Sequence, residues 1–274
     1  MKSHAVTGGG GLRLHVREWG NENAPPLLFI HGWSQCHLSW VRQCVSALAD
    51  EFRIIAFDLR GHGMSEAPTA EERYTNGDEW ADDVAAILNE LSLVRPVIVG
   101  SSYGGCIIAD YVRKHGDRKL AGINFVAAAV ILGKTPLIGP AFFEHARGAC
   151  SDDLPTNIAA MRSFIPVCFG PSISAEDFET VLAYNMVVRP TVRRYLLKRS
   201  VDFTEILERV SVPVLVSHGR ADTLVLPAMS DHILNHCKTA IVSWYDGVHH
   251  APFFEEPARF NGELAEFAHA ANNR

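Results

Sequence analysis

Short, almost uninterrupted apolar runs recur along the chain, and each ends in glycine or a polar residue. Runs of this kind, rich in Val and Ile, are typical of strands buried on both faces of a mainly parallel sheet. The predicted strands are 26–32, 52–59, 96–101, 120–129, 212–219 and 240–247. Alternating apolar positions at Leu12, Leu14 and Val16 predict an additional, early hairpin strand.

Segments with helical periodicity separate these runs. They lie at 40–48, 79–91, 105–113 and 260–270. Strands that alternate with helices predict an α/β fold, a doubly wound and mostly parallel sheet. Ligands of such folds bind at the carboxyl ends of the strands.

The segment 132–208 interrupts this alternation, because it has no buried-strand run and is divided by several prolines. Helical stretches at 175–184 and 192–198 predict a helical cap, inserted into a core domain of residues 1–131 and 209–274. Its larger apolar side chains either pack the cap against the core or line a pocket. The candidates for the pocket are Phe142, Phe143, Met161, Phe164 and Met186.

Composition excludes several classes of function. A chain of 274 residues that is 47% hydrophobic can bury one large core, and a net charge of −6 gives no electrostatic case for nucleic acid or an anionic membrane. No apolar run is long enough to cross a bilayer, and the N-terminus lacks the apolar core of a signal peptide. Six cysteines without a C-x-x-C pair predict reduced thiols in a cytoplasmic protein, and the histidine spacing predicts no metal site.

The segment GSSYG at residues 100–104 joins a predicted strand to a predicted helix. It fits G-x-S-x-G only with Ser102 at the centre, because Val99 stands where Ser101 would need a glycine. Such a sharp turn exposes one hydroxyl above the sheet, with small residues on both sides. We therefore predict Ser102 as a nucleophile and Ser101 as a small filler beside it.

A serine hydroxyl needs a base, and the base needs an orienting acid. The segment after the last predicted strand offers His249 and His250, and the segment after the preceding strand offers Asp222. The resulting order of serine, acid and histidine is the one used by folds with this elbow.

The chain resembles the α/β-hydrolase superfamily, in particular its bacterial esterases, lactonases and cofactor-free haloperoxidases (perhydrolases). The resemblance covers nearly the whole chain outside the cap and rests on five motifs in order. These are HGWSQ at 31, FDLRGHGMSEAP at 57, GSSYGG at 100, HGRADTLV at 218 and HHAPFFEEP at 249. The resemblance implies that no cofactor is needed.

The family pattern GHAPFxExP implies that the base is His250, although His249 stands where the family commonly has glycine. It also implies that the backbone amides of Trp33 and Tyr103 form the oxyanion hole. The Trp33 side chain and His249 are further candidates for the pocket wall, and His31 and His62 are expected to brace the loop after the first core strand.

The predicted function is hydrolysis of carboxylic esters or lactones of small, fairly apolar substrates through an acyl-enzyme on Ser102. A perhydrolase or a C–C bond hydrolase would use the same triad, as would a hydroxynitrile lyase, and a non-catalytic small-molecule receptor is an alternative of another class. Without a basic cluster near the motifs, a highly anionic substrate is disfavoured. The sequence leaves the oligomeric state open and is compatible with a homodimer.

Overall fold

An eight-stranded sheet forms the centre of the computed structural model, which describes residues 1–171 and 173–273. The strand order is β1-β2-β4-β3-β5-β6-β9-β10, with β1–β2 and β2–β4 antiparallel and the other neighbours parallel. The sheet strands are β1 (Lys2–Thr7), β2 (Arg13–Gly20), β3 (Pro26–Ile30), β4 (Arg53–Phe57), β5 (Val97–Ser101), β6 (Gly122–Val126), β9 (Val214–Gly219) and β10 (Ala240–Tyr245). Strands β7 (Ile131–Leu132) and β8 (Val201–Asp202) pair antiparallel as a separate ribbon. The mostly parallel sheet confirms the predicted α/β class.

The central strands are buried along their whole length, as their continuous apolar runs predict. Their register brings Ile30, Gly100, Phe125 and Val216 side by side across β3, β5, β6 and β9. Because these strands are parallel, the loops that follow them emerge at one edge of the sheet. All motifs singled out in the sequence lie at or beyond that edge.

Helices fill the connections between strands. They are α1 (Val41–Cys44), α2 (Leu48–Glu51), α3 (Glu72–Thr75), α4 (Gly77–Glu90), α5 (Tyr103–His115), α6 (Pro140–Ala149), α7 (Leu154–Phe169), α8 (Ala175–Val187), α9 (Pro190–Leu196), α10 (Thr204–Leu207), α11 (Pro227–His236), α12 (Pro252–Glu255) and α13 (Pro257–Asn272). Short 3₁₀ turns occupy Gly9–Gly11 and His37–Trp40. The described part of the chain contains no helix with the length and apolarity needed to span a membrane.

Helices α6 to α9 form an insertion between β6 and β9, two strands that are neighbours in the sheet. The ribbon β7–β8 joins the two ends of this helical insertion, with Ile131 opposite Asp202. All four helices fall within the range 132–208 expected for a cap. The division into core and cap at those residues stays a prediction.

The structure differs from the sequence-based expectation at the segment 40–48, which is broken rather than one helix. Helix α1 ends at Cys44, and a turn separates it from α2. The Ser46 hydroxyl donates to the Gln43 carbonyl and accepts from the Leu48 amide, at 2.8 and 3.2 Å. Serine competes in this way with the backbone bonds that would continue a helix.

Candidate active site

The turn between β5 and α5 holds Ser102 at the carboxyl end of the sheet. Ser102 has φ 54° and ψ −117°, a conformation that residues with a side chain rarely adopt. A Cβ atom at Gly104 would lie 2.7 Å from the Ile30 carbonyl oxygen, and one at Gly100 would lie 2.8 Å from the Gly104 carbonyl oxygen. Both glycines are therefore required by close packing of strand and helix. Ser101 is buried, whereas Ser102 is partly exposed.

His250 and Asp222 form a buried acid–base pair beyond β10 and β9. The Nδ1 of His250 donates to Oδ2 of Asp222 at 2.6 Å. His250 and Ser102 line the same cavity. The structure thus brings the three predicted residues to one edge of the sheet, and the bond to Asp222 holds His250 in the tautomer whose Nε2 is free to accept a proton.

Asp222 accepts hydrogen bonds from three further groups in addition to His250. Its Oδ1 accepts from the amides of Leu224 and Val225 at 2.8 and 3.2 Å. Its Oδ2 lies 2.9 Å from Nε2 of His218 as well as bonding to His250. Burial alone would raise the pKa of Asp222, but electrostatic attraction to the His250 ring and hydrogen bonds from both histidines hold that pKa well below its usual range. The carboxylate is therefore ionised at neutral pH.

His218 was not assigned a role by the sequence, although it opens one of the recognised motifs. Its Nε2 faces two acceptors, Asp222 and the Val225 carbonyl oxygen, each at 2.9 Å. Nε2 therefore carries a proton, and the Ser230 hydroxyl donates to Nδ1 at 2.5 Å. Its position at the end of β9, four residues before Asp222, is the sequence feature that could have indicated a role beside the acid.

The loop after β3 passes close to the nucleophile. A Cβ atom at Gly32 would lie 3.1 Å from Cβ of Ser102. The His31 ring spans this loop and the next strand end, because Nδ1 donates to the Gly32 carbonyl at 2.8 Å and Nε2 accepts from the Leu59 amide at 3.0 Å. Burial lowers the pKa of His31 to about 4, so the ring is neutral.

His62 holds the same loop at Ser34, two residues after Gly32. Its Nε2 accepts from the Ser34 amide at 3.3 Å, and its Nδ1 donates to the Arg60 carbonyl at 2.9 Å. Burial lowers the pKa of His62 to about 3. Both rings therefore brace the loop in the way expected from the sequence. Trp33 and Tyr103 line the same cavity as Ser102, while the role of their amides stays a prediction.

The cavity above Ser102 has a volume of about 930 Å³. Of the predicted pocket residues it includes Trp33, Phe142, Phe143 and Phe164. The Trp33 ring meets those of Phe142 and Phe164 edge-on, with centroids 5.5 and 5.8 Å apart. The helical insertion thus supplies an aromatic wall facing the nucleophile, and Phe143, 54% exposed, lies where this wall meets solvent.

Three predicted pocket residues do not line this cavity. Met161 is fully buried and Met186 is partly buried, and both pack into the hydrophobic core. His249 is bonded to Glu255, whose carboxylate accepts from the His249 amide at 2.9 Å and lies 3.0 Å from Nδ1. This contact holds His249 away from the pair formed by His250 and Asp222.

Three basic side chains line the cavity, although the sequence has no basic cluster near the motifs. They are Lys134, Lys198 and Arg199, near the two ends of the insertion. Lys198 is bonded to Glu71 at 2.6 Å, and Arg199 to buried Asp110 at 2.6 Å. Two of the three charges are therefore already compensated.

One group of described residues has the spacing of a metal site. Ligand atoms of His15, His37 and Asp58 lie within 4.8 Å of one another. However, Oδ1 of Asp58 accepts from the amide and Nδ1 of His37, at 2.7 and 2.8 Å, and Oδ2 accepts from the Met64 amide at 2.9 Å. We interpret the carboxylate as a structural link between loops.

Comparisons with known proteins identify the fold family. The family model described as alpha/beta hydrolase fold matches residues 25–160, and the model described as serine hydrolase (FSH1) matches residues 160–259. An esterase from Rhodococcus sp. ECU1013, whose crystal structure is known, is 33% identical in sequence to this chain. The match covers 99% of this chain and 100% of the esterase, and the two structures superpose with a TM-score of 0.94.

Two sequence relatives carry names of oxidative or dual activity. A non-heme chloroperoxidase from Streptomyces lividans is 28% identical and covers 96% of this chain and 98% of its own. A bifunctional esterase/perhydrolase from Acinetobacter calcoaceticus is 29% identical and covers 80% of this chain and 82% of its own. Together with the elbow at Ser102, these matches establish that the chain belongs to the α/β-hydrolase superfamily.

Proposed function

We propose that the protein hydrolyses carboxylic esters or lactones of small, fairly apolar substrates through an acyl-enzyme on Ser102. The observation that carries the proposal is the 2.6 Å bond from His250 to Asp222, together with a cavity shared by His250 and Ser102. A base oriented by an ionised acid, beside a strained serine, is the arrangement that acyl transfer requires.

In the first half-reaction, Nε2 of His250 takes the Ser102 hydroxyl proton as Oγ attacks the ester carbonyl carbon. The negative charge that develops on the carbonyl oxygen is stabilised by the Trp33 and Tyr103 amides. The intermediate collapses to an ester of Ser102. His250 gives its proton to the departing alcohol, and Asp222 stabilises the imidazolium that exists in between.

In the second half-reaction, water takes the place of the alcohol. His250 removes a proton from water, the resulting hydroxide attacks the acyl carbon, and Ser102 leaves with its proton restored. If hydrogen peroxide attacks instead, the product is a peracid. This perhydrolase reaction is our second candidate, because relatives named chloroperoxidase and esterase/perhydrolase match most of this chain.

The cavity supports the choice of substrate. Its wall next to the nucleophile is aromatic and aliphatic, through Trp33, Phe142, Phe164, Leu224 and Val225. Binding of apolar acyl groups or aryl alcohols against such a wall is favourable, by about 25 cal/mol per Å² of apolar surface removed from water. A volume of about 930 Å³ accommodates substrates larger than simple acetates.

The experiment is a substrate screen with Ser102→Ala as the blank. It should cover short acyl esters, lactones, peracid formation from acetate and hydrogen peroxide, cyanohydrins and dienoate C–C substrates. We expect ester or lactone hydrolysis that the blank lacks. Turnover confined to cyanohydrins or C–C substrates would replace the proposal by a lyase or a C–C hydrolase, and binding without any turnover would indicate a receptor.

A further inference from the structure

The guanidinium of Arg193, on α9 of the helical insertion, is completely buried. Its Nη1 donates to the Ala149 carbonyl at 2.7 Å and to Oδ1 of Asn157 at 2.8 Å. Its Nη2 donates to the Asn185 carbonyl. One side chain thus joins the end of α6 to helices α7, α8 and α9.

The Nε donor of Arg193 reaches outside the insertion. The Nε of Arg193 donates to Oγ of Ser34 at 2.8 Å, across 159 positions of sequence. In return, the Arg193 carbonyl oxygen accepts from Nε1 of Trp33 at 3.3 Å. The two contacts fall on consecutive residues of the loop whose amide is assigned to the oxyanion hole.

Burying a charged guanidinium costs free energy, so a residue that only fills space would not be expected to be an arginine. All of the hydrogen-bond acceptors of Arg193 are uncharged, and burial lowers its pKa to about 10, which still leaves it charged at neutral pH. Replacement of buried charges by apolar residues is often neutral or stabilising, so burial alone does not account for an arginine here. Ser34 also adopts φ 65°, a conformation that needs surrounding contacts to persist.

We propose that Arg193 is a positioning residue, which uses its bond to Ser34 to hold the Trp33 amide in the geometry of the oxyanion hole. The inference rests on the proposed acyl transfer. An oxyanion donor acts only if it is aimed at the place where charge develops, and an error of about 1 Å costs much of its effect. The helical insertion therefore contributes to the chemical step as well as to the pocket wall.

The test compares Ser34→Ala and Arg193→Met with a control on the same helix, Arg194→Met. Arg194 also binds the insertion, through the Cys150 carbonyl at 2.6 Å and Asp152 at 3.0 Å, but its side chain has no hydrogen bond to the loop that contains Ser34. Steady-state kinetics on an ester accepted by the wild type give kcat and KM separately. An aryl trifluoromethyl ketone, which forms an anionic hemiketal with the serine, measures oxyanion stabilisation directly.

We expect kcat to fall about 10-fold in Ser34→Ala and about 100-fold in Arg193→Met, with KM unchanged, as loss of one oxyanion donor costs about 10²- to 10³-fold. The inhibition constant of the ketone should rise by the same factors, and Arg194→Met should match the wild type in both. A folded Ser34→Ala enzyme with wild-type kcat and ketone affinity overturns the inference, even if Arg193→Met fails to fold. An equal loss in Arg194→Met also overturns it. An inactive wild type would instead refute the proposed hydrolysis.

Discussion

Asp222 and His250 are joined by a 2.6 Å hydrogen bond between Oδ2 and Nδ1, and both side chains are buried. The same carboxylate oxygen lies 2.9 Å from His218, which belongs to the strand that leads to Asp222. The acid is thereby fixed from two sides by imidazole rings and from a third by backbone amides. Its geometry is set before substrate arrives, which is the condition for an effective base.

The first prediction concerns His218, which we interpret as a positioning residue. His218→Leu removes one of the two imidazole donors to Oδ2. We expect kcat to fall about 10- to 100-fold, the range found when a metal ligand loses its outer hydrogen-bond partner. KM should change little, because His218 does not line the cavity. Steady-state kinetics measure both constants.

The control is Ser230→Ala, which keeps the imidazole and removes only its hydroxyl partner. We expect less than about 5-fold loss of kcat there, since a single neutral hydrogen bond contributes about 1 kcal/mol. If His218→Leu folds and retains the wild-type kcat, the shared carboxylate is a structural feature without effect on the base.

The second prediction separates the two neighbouring histidines. His250→Ala should lose at least about 10³-fold in kcat, because triad members act as a unit. His249→Ala breaks only the contact with Glu255, so we expect an effect of about 1 kcal/mol on the free energy of unfolding and little on kcat. The two variants are matched in size and position. An inactive His249→Ala beside an active His250→Ala would show that the family motif is aligned one residue out of register.

The third prediction is a loss of stability in mild acid. The pKa values of His31 and His62 are lowered to about 4 and about 3 in the folded chain, whereas an unfolded histidine titrates near 6.5. Between about pH 6.5 and pH 4, the unfolded state therefore binds more protons than the folded state does. Each histidine should reduce the free energy of unfolding by about 1.4 kcal/mol per pH unit within that window. Above pH 7 the contribution is constant.

Denaturant titrations at several pH values between 7.5 and 4.5 measure this loss. His62→Gln removes one of the two histidines that take up a proton on unfolding. The free energy of unfolding of this variant should therefore fall less steeply with decreasing pH, by about 1.4 kcal/mol per pH unit. Equal free energies of unfolding at pH 6.5 and 4.5 in the wild type would contradict the assignment of both rings as buried and neutral.

Local patterns predict the fold class, and together with the family resemblance they predict the catalytic candidates. Continuous apolar runs predicted the central strands because those strands are buried on both faces. Ser102 and Asp222 each follow such a run, and parallel strands bring their carboxyl ends together. His250 follows the more exposed strand β10, and only the family pattern distinguishes it from His249. Strand β1 was not predicted because most of its residues are exposed, so its apolar pattern is weak.

The sequence pattern does not predict contacts between distant segments of the chain. Arg193 and Arg199 are both buried, and they are bonded to Ser34 and Asp110 respectively. Neither partner lies on the same element, so no periodicity signals the pair. The pocket wall was predicted only in part for the same reason. Phe142 and Phe164 face Trp33, whereas Met161 packs into the hydrophobic core.

The central claim is that Ser102 carries the acyl group during turnover. Rapid mixing of the protein with a p-nitrophenyl ester, followed by acid quenching and peptide mass analysis, tests it directly. We predict a burst of p-nitrophenol of up to one equivalent when deacylation is slow, and a mass increase equal to the acyl group on the peptide containing Ser102, both absent in Ser102→Ala and present in Ser101→Ala. Acylation that persists in Ser102→Ala, or is lost only in Ser101→Ala, would contradict the account.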